Sequence, residues 1–351
     1  MIVEEQGIDF RTGVRFPSAP LFKNLVFTGK PRIYKVFLVA VLPRTSRQKG
    51  IFMNTDILHT PSFHPPGRER VVILGAGQFG QAALALLNQE NLHILAFGDN
   101  KESLWGTHIH GFAVMSVKES LALSPDLLLI SVADAVRSES LASQARSLGF
   151  SGPILYMSRL HQYFDVRSAV LWRLGESLKS RGVPGALAEL GVYKGDTAWK
   201  LNTLFPDRKL YLFDTFRGFD ARDVEKEKKR GLSRAEEGDF SDTSPEAVLA
   251  RLPFREQAVI RQGYFPDTSI GLEDERFALV SLDADLFAPI LAGLAFFYPR
   301  LNPGGAILLH DFGSQRFPGA ARAVAEYEKT HGPLPLVPLC DLHGSAVILR
   351  P

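Results

Sequence analysis

An apolar strand, a glycine turn and a second strand that ends on a carboxylate follow one another between residues 186 and 214. The turn region holds Glu189, Gly191 and Gly195, and Asp214 ends the second strand 25 positions after Glu189. This spacing is typical of a nucleotide-binding βαβ unit. A pyrophosphate is bound by a turn with three glycines, whereas an acid at the turn suits a cationic amino-acid ligand. The pattern therefore predicts S-adenosylmethionine rather than NAD; the alternative is a surface acid at Glu189 and a helix cap at Asp214.

Another glycine turn lies nearer the N-terminus, where Gly75, Gly77 and Gly80 separate an apolar strand from a helix that we expect to begin at Gln81. Asp99 follows Gly75 by 24 residues, the position of a carboxylate that binds a ribose diol. No acid–base set for hydride transfer follows the turn. NAD, another nucleotide or sugar nucleotide, and no ligand all stay open. The alternative function is an NAD(P)-dependent oxidoreductase or a nucleotide-sugar-binding protein centred on this turn.

The length of 351 residues suits two domains. Apolar runs of strand length alternate with helical patterns, which predicts an α/β fold with two Rossmann-like, doubly wound domains. We expect one domain at residues 53–156, a linker and helix at 157–184, and the other domain at 185–351. The single cysteine, Cys340, excludes a disulfide framework and indicates a reducing cytoplasm.

The first 52 residues differ from the rest in charge. They hold nine Lys or Arg and three Asp or Glu, a net charge of +6, which leaves −4 for residues 53–351. They show no sustained periodicity, so we expect a disordered basic tail or a non-native extension ahead of a start at Met53. Because the body is mildly acidic, the sequence does not favour nucleic acid as a partner. No apolar run reaches the roughly 20 residues of a membrane span.

Two later apolar strands also end in acids. Asp283 follows the strand at 277–282, and Asp311 follows the strand at 306–310. Parallel strands of a doubly wound sheet bring their carboxyl ends to one crevice, so these acids are expected to converge beside the cofactor. Two carboxylates brought together repel unless a cation or a proton lies between them. The sequence therefore predicts a Mg²⁺ site; the alternative is that both acids cap helices.

His310, next to Asp311, has three interpretations. It is a general base for a hydroxyl proton, a third metal ligand, or a strand-end histidine satisfied by backbone. A further ambiguity concerns the charged insertion between Gly218 and Arg251, which is either a solvated helix face or a lid over the ligand.

These motifs together resemble those of the macrocin O-methyltransferase family, over about residues 165–350. The motifs that carry the resemblance are Glu189-Leu-Gly-Val-Tyr-Lys-Gly195, Phe213-Asp214-Thr215-Phe216, Gly238-Asp239-Phe-Ser-Asp242, Gly263-Tyr-Phe-Pro-Asp267, Ser281-Leu-Asp283-Ala-Asp285 and His310-Asp311-Phe312. The resemblance implies a class I fold at residues 185–351. It also implies methyl transfer from S-adenosylmethionine to a sugar hydroxyl, in many members with Mg²⁺.

The resemblance implies roles for residues of this chain. The expected donor-binding residues are Glu189, Gly191, Gly195, Asp214, Thr215, Asp239 and Asp242. Asp283, Asp311 and His310 are expected at the metal, with Asp283 and His310 also catalytic. His310 stands where family members tend to have an acid, which leaves the third ligand open.

The N-terminal part, residues 68–156, resembles the nucleotide-binding domains of surface-polysaccharide and sugar-modification proteins. Its presence implies a saccharide or a glycosylated small molecule as substrate, carried on a nucleotide or a lipid. A homodimer is common among such enzymes, and no residue of this chain indicates one.

Overall fold

Strands and helices alternate along residues 68–351, the part of the chain that the computed structural model describes. The strands form two sheets, one of six strands and one of seven. The predicted tail at residues 1–52 and the predicted start at Met53 lie outside the described residues. The predicted α/β class is confirmed, although both sheets contain antiparallel pairs.

The first sheet lies in residues 69–156. Its strands are β1 (Glu69–Leu74), β2 (Leu92–Gly98), β3 (His108–Ile109), β4 (Phe112–Met115), β5 (Leu127–Ile130) and β6 (Ile154–Tyr156). The strand order is β3-β4-β2-β1-β5-β6, and all neighbours run parallel except the β3–β4 hairpin. The helices are α1 (Gln78–Leu86), α2 (Val117–Ala122) and α3 (Ala135–Ser147).

Side chains of β1 alternate between two apolar layers. Val71 and Ile73 pack in the layer that contains Ala83 of α1, and Val72 and Leu74 pack in the opposite layer. Because both faces are covered, the strand is apolar throughout.

The helix α1 begins at Gln78, three residues earlier than expected, and so includes the third glycine of the turn. A Cβ at Gly80 would lie 1.9 Å from the carbonyl oxygen of Gly75. Only glycine allows this close packing of the first helical turn against the end of β1.

Two helices follow the first sheet, α4 (Met157–Tyr163) and α5 (Val166–Ser180). Asp165 is the N-cap of α5, because its carboxylate accepts the N–H of Ser168 at 3.0 Å. These helices lie within the predicted linker at 157–184. The predicted domain limits stay predictions.

The second sheet follows. Its strands are β7 (Ala186–Leu190), β8 (Leu210–Asp214), β9 (Ala258–Gln262), β10 (Phe277–Leu282), β11 (Leu301–Leu309), β12 (Leu336–Pro338) and β13 (Ala346–Leu349). The helices are α6 (Asp196–Leu204), α7 (Ala221–Arg230), α8 (Pro245–Arg251), α9 (Phe287–Phe297) and α10 (Gly319–His331). The order is β12-β13-β11-β10-β7-β8-β9, with β13 antiparallel to both neighbours and the other strands parallel.

The four central strands of this sheet end almost level with one another. Leu190 of β7 pairs with Phe213 of β8 and with Leu282 of β10, and Leu282 also pairs with Leu309 of β11. The residues that follow these strands therefore emerge side by side at one edge, where α/β sheets bind ligands.

Among the helices of residues 68–351, none combines the length and the apolar character that crossing a bilayer requires.

Candidate active site

A cavity of about 580 Å³ opens at the carboxyl ends of the second sheet's central strands. Nine carboxyl side chains line it, against the three lysine and arginine side chains Arg167, Lys194 and Arg316. The carboxyl groups are Glu189, Asp196, Asp214, Asp220, Asp223, Asp239, Asp283, Asp285 and Asp311. A cavity with this excess of acids attracts a cationic ligand.

The turn after β7 requires its glycines. Gly191 has φ +86°, and a Cβ there would lie 2.1 Å from the carbonyl oxygen of Asp283. Gly195 has φ +79° and is the N-cap of α6. The turn therefore brings the end of β7 against the end of β10 in a way that other residues cannot.

Asp214 braces this turn. One carboxylate oxygen accepts the N–H groups of Val192 and Tyr193, at 2.7 and 2.9 Å, and the other accepts the N–H of Phe216 at 2.7 Å. The next residue, Thr215, donates its hydroxyl to the carbonyl of Gly218 at 2.6 Å. The carboxylate of Asp214 thus has a structural role, and its predicted contact with a ribose stays a prediction.

Glu189 is almost completely buried at the end of β7 and lines the cavity. Its Oε2 has no hydrogen-bond partner. Burial and the nearby charge of Asp283 raise the pKa of Glu189 well above its usual value, and Arg167 only partly opposes them. The carboxyl group can therefore accept a hydrogen bond from a ligand or form an ion pair with a positively charged group of the ligand.

Four side chains that follow β10 and β11 form one cluster, Asp283, Asp285, His310 and Asp311, whose potential ligand atoms lie within 4.8 Å of one another. His310 Nδ1 lies 2.8 Å from Asp283 Oδ1 and 3.2 Å from Asp311 Oδ2. Neither oxygen lies in line with the ring N–H, so this buried nitrogen has no hydrogen bond. The predicted convergence of Asp283 and Asp311 is thus what the structure shows, and His310 lies with them and Asp285 in the same cluster; the metal-binding and catalytic roles of these residues stay predictions.

The charges within the cluster shift the pKa values of its members. Burial lowers the pKa of His310, but the neighbouring carboxylates raise it more, to about 10. Burial raises the pKa of Asp283, yet His310 and Arg167 hold it well below its usual range. Burial and the charges of Asp283 and Asp311 raise the pKa of Asp285 well above its usual value. The positive charge of protonated His310 and a proton shared between Asp285 and Asp311 therefore reduce the repulsion among the carboxylates.

The donor set fits a divalent cation. Three carboxyl groups and an imidazole nitrogen without a hydrogen bond converge within the distance that one ion spans. A bound ion would take over the role that protons have in the cluster, since a cation between carboxylates removes their repulsion.

Arg167 is a member of the site that the sequence did not predict. It extends from the first turn of α5, donates to Asp283 Oδ2 at 2.8 Å and lies 3.5 Å from the hydroxyl of Thr197. Asp285 was also missed as a site residue, although it lies two positions after Asp283. Its backbone is left-handed, with φ +56°. In this conformation its side chain points back towards the cluster.

The charged insertion covers the cavity. Its helix α7 buries Asp223, Val224 and Glu227 and exposes its remaining charges. Glu227 Oε1 accepts the N–H of Phe287 at 2.6 Å and so caps α9 from outside. Asp223 and Phe240 line the cavity. The insertion therefore has both a solvated face and a face that covers the site.

The two predicted acids of the insertion occupy different places. Asp239 lines the cavity and accepts the N–H of Glu236 at 3.0 Å. Asp242 is exposed, accepts the hydroxyl of Tyr193 at 2.7 Å and pairs with Lys194 at 2.6 Å. Asp242 thus fastens the insertion to the turn after β7, and it is not among the residues that line the cavity.

The glycine turn of the first sheet is built like the turn after β7. Asp99 accepts the N–H groups of Ala76 and Lys101, at 2.7 and 2.8 Å, and so braces the turn as Asp214 does. Gly75, Gly77, Gly80 and Asp99 do not line the cavity, but Gln78 and Phe79 of the same turn do. The predicted ligand of this turn stays a prediction.

Two family models match this chain. Residues 133–350 match the family model described as macrocin-O-methyltransferase, and residues 67–151 match the model described as C2185-like, N-terminal.

Two relatives carry names of sugar-modifying enzymes. The chain is 28% identical over 169 residues to mycinamicin III 3''-O-methyltransferase of Micromonospora griseorubida, covering 45% of this chain and 65% of that protein, just under two thirds. It is 26% identical over 189 residues to 8-demethyl-8-(2,3-dimethoxy-alpha-L-rhamnosyl)-tetracenomycin-C 4'-O-methyltransferase of Streptomyces olivaceus, covering 50% of this chain and 69% of that protein. The solved structure of the O-methyltransferase NovP is 23% identical, with a TM-score of 0.43 over 52% of this chain and 79% of that one.

Proposed function

The chain belongs to the macrocin O-methyltransferase family, and from this premise we propose that it transfers a methyl group from S-adenosylmethionine to a hydroxyl of a saccharide or a glycosylated metabolite. One observation carries the proposal. The buried acid Glu189 and the cluster around Asp283 line the same cavity, so a donor and an acceptor can meet there. The seven-stranded sheet with an antiparallel β13 supports the class I fold expected for residues 185–351.

The donor half of the site lies at the turn after β7. S-adenosylmethionine carries a sulfonium and an ammonium, and the acidic wall of the cavity complements both charges. Glu189 offers an unpaired buried oxygen, and Gly191 leaves the backbone open to close approach. Gly195, Thr215 and Asp239 stay proposed donor contacts. Asp242 was expected as a further donor contact; because it lies outside the cavity lining and contacts Tyr193 and Lys194, we propose instead that it holds the insertion over the donor.

In methyl transfer the acceptor oxygen forms a bond to the methyl carbon while the bond from carbon to sulfur breaks. The hydroxyl proton must leave to a base. Burial and the charges of Asp283 and Asp311 raise the pKa of Asp285, so its ionised form is a more basic carboxylate than its two neighbours, whereas the raised pKa of His310 keeps that ring protonated in the cluster as it stands. We therefore assign the proton to a carboxylate oxygen of Asp285, and the base role expected of His310 stays a prediction to be tested beside it.

Asp283, His310 and Asp311 are the residues proposed to hold Mg²⁺. When bound there, the ion would stabilise negative charge on the acceptor oxygen. Arg167 holds one oxygen of Asp283 and leaves the other facing His310. Alignment of the reacting groups by such a fixed frame can contribute about 7–11 kcal/mol to lowering the barrier.

Three further expectations stay proposals. A nucleotide is proposed at the glycine turn of the first sheet, on the pattern Gly75-x-Gly77-x-x-Gly80 with Asp99. The cytoplasmic location and the homodimer are the others.

Isothermal titration of the full chain with S-adenosylhomocysteine, with and without MgCl₂, tests the proposal. We expect binding in both conditions, no binding of NADH at the donor site, and methyl transfer from labelled S-adenosylmethionine within a panel of nucleotide-diphosphate sugars and glycosylated macrolides. Asp283→Asn should abolish turnover and leave S-adenosylhomocysteine binding largely intact, with the exposed Asp274→Asn as the matched control. Failure to bind S-adenosylhomocysteine overturns the function, and unchanged turnover in Asp283→Asn overturns the metal site.

A further inference from the structure

The cavity of the second sheet has a wall that comes from the first sheet. Gln78, Phe79 and Ala133 line it together with His310 and Arg316. Gln78 and Phe79 are the first two residues of α1, directly after the glycine turn. The first turn of α1 therefore borders the cavity that holds the cluster around Asp283.

Gln78 joins the two parts. Its side-chain N–H donates to the carbonyl of His343 at 3.3 Å, and its side-chain oxygen accepts the N–H of Gln315 at 2.8 Å. Within residues 68–351 these are the side-chain hydrogen bonds that connect residues 68–156 with residues 185–351. The first turn of α1 is thus held against the loop that contains Arg316.

The first turn of α1 lacks an acidic partner. Its N-cap is Gly77, no side chain caps the helix, and no acid lies in the first turn. A Cβ at Gly77 would meet nothing within 4 Å, so there is open space beside the free N–H groups. An uncapped helix N-terminus with open space favours an anion whose several oxygens accept backbone N–H groups.

Ser131 is an independent sign of a ligand at this turn. It is 2% exposed, and its hydroxyl has no hydrogen-bond partner. Its carbonyl lies against Gly75, since a Cβ on that glycine would meet it at 2.8 Å. Strand alternation places Ser131 with Leu129, on the face that α1 covers. A buried hydroxyl without a partner requires an acceptor, which a ligand bound beside the turn would supply.

Arg316 supplies the positive charge. Among the lysine and arginine side chains of the cavity, Arg167 pairs with Asp283 and Lys194 pairs with Asp242, whereas Arg316 has no carboxylate within ion-pair distance among the described residues. It follows directly after Gln315, which Gln78 holds against α1. An arginine opposite a helix N-terminus forms a two-sided site for phosphate oxygens.

We infer that the acceptor sugar is carried on a diphosphate, and that this diphosphate binds between the first turn of α1 and Arg316 while the sugar extends to the cluster around Asp283. The inference rests on the proposed methyl transfer and specifies its acceptor class. The three-glycine turn is the spacing that suits a pyrophosphate, in contrast to the two-glycine turn at Gly191. A nucleotide-linked sugar and a lipid-linked sugar share this chemistry.

Titration calorimetry of the full chain, in EDTA and with saturating S-adenosylhomocysteine, tests the inference. The probes are inorganic pyrophosphate, uridine diphosphate, thymidine diphosphate and farnesyl diphosphate. We expect at least one to bind beside S-adenosylhomocysteine with one-to-one stoichiometry. Tighter binding of a nucleoside diphosphate than of pyrophosphate identifies a nucleotide-linked sugar, and tighter binding of farnesyl diphosphate identifies a lipid-linked one. Equal affinities support the diphosphate site alone.

Two variants localise the site. Arg316→Gln removes the cation, and Gln78→Glu places a negative charge at the first turn of α1 while keeping an acceptor for the N–H of Gln315. Each should weaken diphosphate binding at least about tenfold and leave S-adenosylhomocysteine affinity unchanged. The exposed Arg322→Gln is the matched control and should bind as the unaltered protein does.

The outcomes separate this inference from the proposed function. If S-adenosylhomocysteine binds and no diphosphate does, the inference is wrong and the methyltransferase proposal stands. If a diphosphate binds Arg316→Gln and Gln78→Glu as tightly as the unaltered protein, the site lies elsewhere and the inference is again wrong. If S-adenosylhomocysteine itself does not bind, the proposed function fails, and the acceptor class fails with it.

Discussion

At the scale of single residues, Glu189 combines a cost to folding with a role in binding. Within residues 68–351 its Oε2 is the buried carboxylate oxygen without a hydrogen-bond partner. Because burial raises the pKa of Glu189, the unfolded chain loses this proton more readily than the folded protein. Folding is therefore penalised as the pH rises above about 4.3, the ordinary value for glutamate, until the folded group also ionises.

Glu189→Gln should therefore stabilise the free protein at pH 7 and weaken donor binding. The amide is neutral and of the same shape, so it removes the penalty, and we expect Tm to rise by about 2 °C or more in thermal unfolding. It cannot offer a negative charge, so S-adenosylhomocysteine affinity should fall about tenfold or more by calorimetry. The exposed Glu256→Gln is the control. A lower Tm, or an unchanged affinity, would contradict the role assigned to Glu189.

Asp285→Asn tests the proton acceptor. General base catalysis typically contributes about 10²- to 10⁴-fold, so we expect kcat for methyl transfer to fall about 100-fold or more. The affinity for S-adenosylhomocysteine should stay within about twofold, because Asp285 faces the cluster rather than the turn after β7. Asp274→Asn, on the surface, should leave kcat unchanged. If Asp285→Asn retains kcat and His310→Gln loses it, the base is the histidine.

At the scale of elements, helix α5 contributes to the site through its first turn. Asp165 caps the helix, and its carboxylate also lies 3.4 Å from Lys200. Two positions later, Arg167 reaches Asp283. The cap thus fixes where the helix begins, and the start of the helix fixes where the guanidinium lies. A cap placed one residue away would turn Arg167 out of the cavity.

Stability should depend on pH through Asp165. Burial raises its pKa, but the hydrogen bonds from Ser168 and the charges of Lys200 and Arg167 lower it more, to about 2. A carboxylate with a lowered pKa stabilises the fold above its unfolded value, near 4, and this contribution is lost as the pH falls from about 4 to about 2.

Chemical unfolding of Asp165→Asn between pH 2 and 7 measures this effect. Asparagine keeps the cap, so the variant should lose only the charge-dependent part, and its difference from the unaltered protein should shrink towards pH 2. Asp165→Ala also loses the cap and should cost about 1 kcal/mol more. The exposed Asp207→Asn serves as the control. A difference that stays constant down to pH 2 would show that the Asp165 charge does not act in this way.

At the scale of the whole molecule, the sequence predicted the features that belong to a repeated strand pattern and did not predict single contacts between distant residues. Apolar strands that end in acids recur, and parallel strands must align their ends, so the meeting of Asp283 and Asp311 followed from pattern alone. Arg167 lies 116 positions from Asp283 and carries no periodic signal. Asp285 lies beyond the end of β10 and is itself left-handed, so strand alternation no longer predicts the direction of its side chain. The contact of Gln78 with Gln315 joins residues of the two sheets that are 237 positions apart, and local sequence patterns do not report such contacts.

The junction between the two sheets bears on how the molecule unfolds. Since the Gln78 bonds are the side-chain hydrogen bonds between residues 68–156 and 185–351, we expect each sheet to unfold separately in urea. Trp105 reports on the first sheet, where its indole donates to the carbonyl of Asp99 at 2.8 Å, and Trp172 and Trp199 report on α5 and α6.

Tryptophan fluorescence of Trp105→Phe and of the double variant Trp172→Phe, Trp199→Phe separates the two signals. S-adenosylhomocysteine at 100 times its Kd should add about 2.7 kcal/mol to the transition seen by Trp172 and Trp199 and leave that of Trp105 unmoved. Circular dichroism of the unaltered protein should show both steps. Coincident transitions that shift together with the ligand would mean that the two sheets unfold as one cooperative unit, because ligand binding to one part of such a unit stabilises all of it.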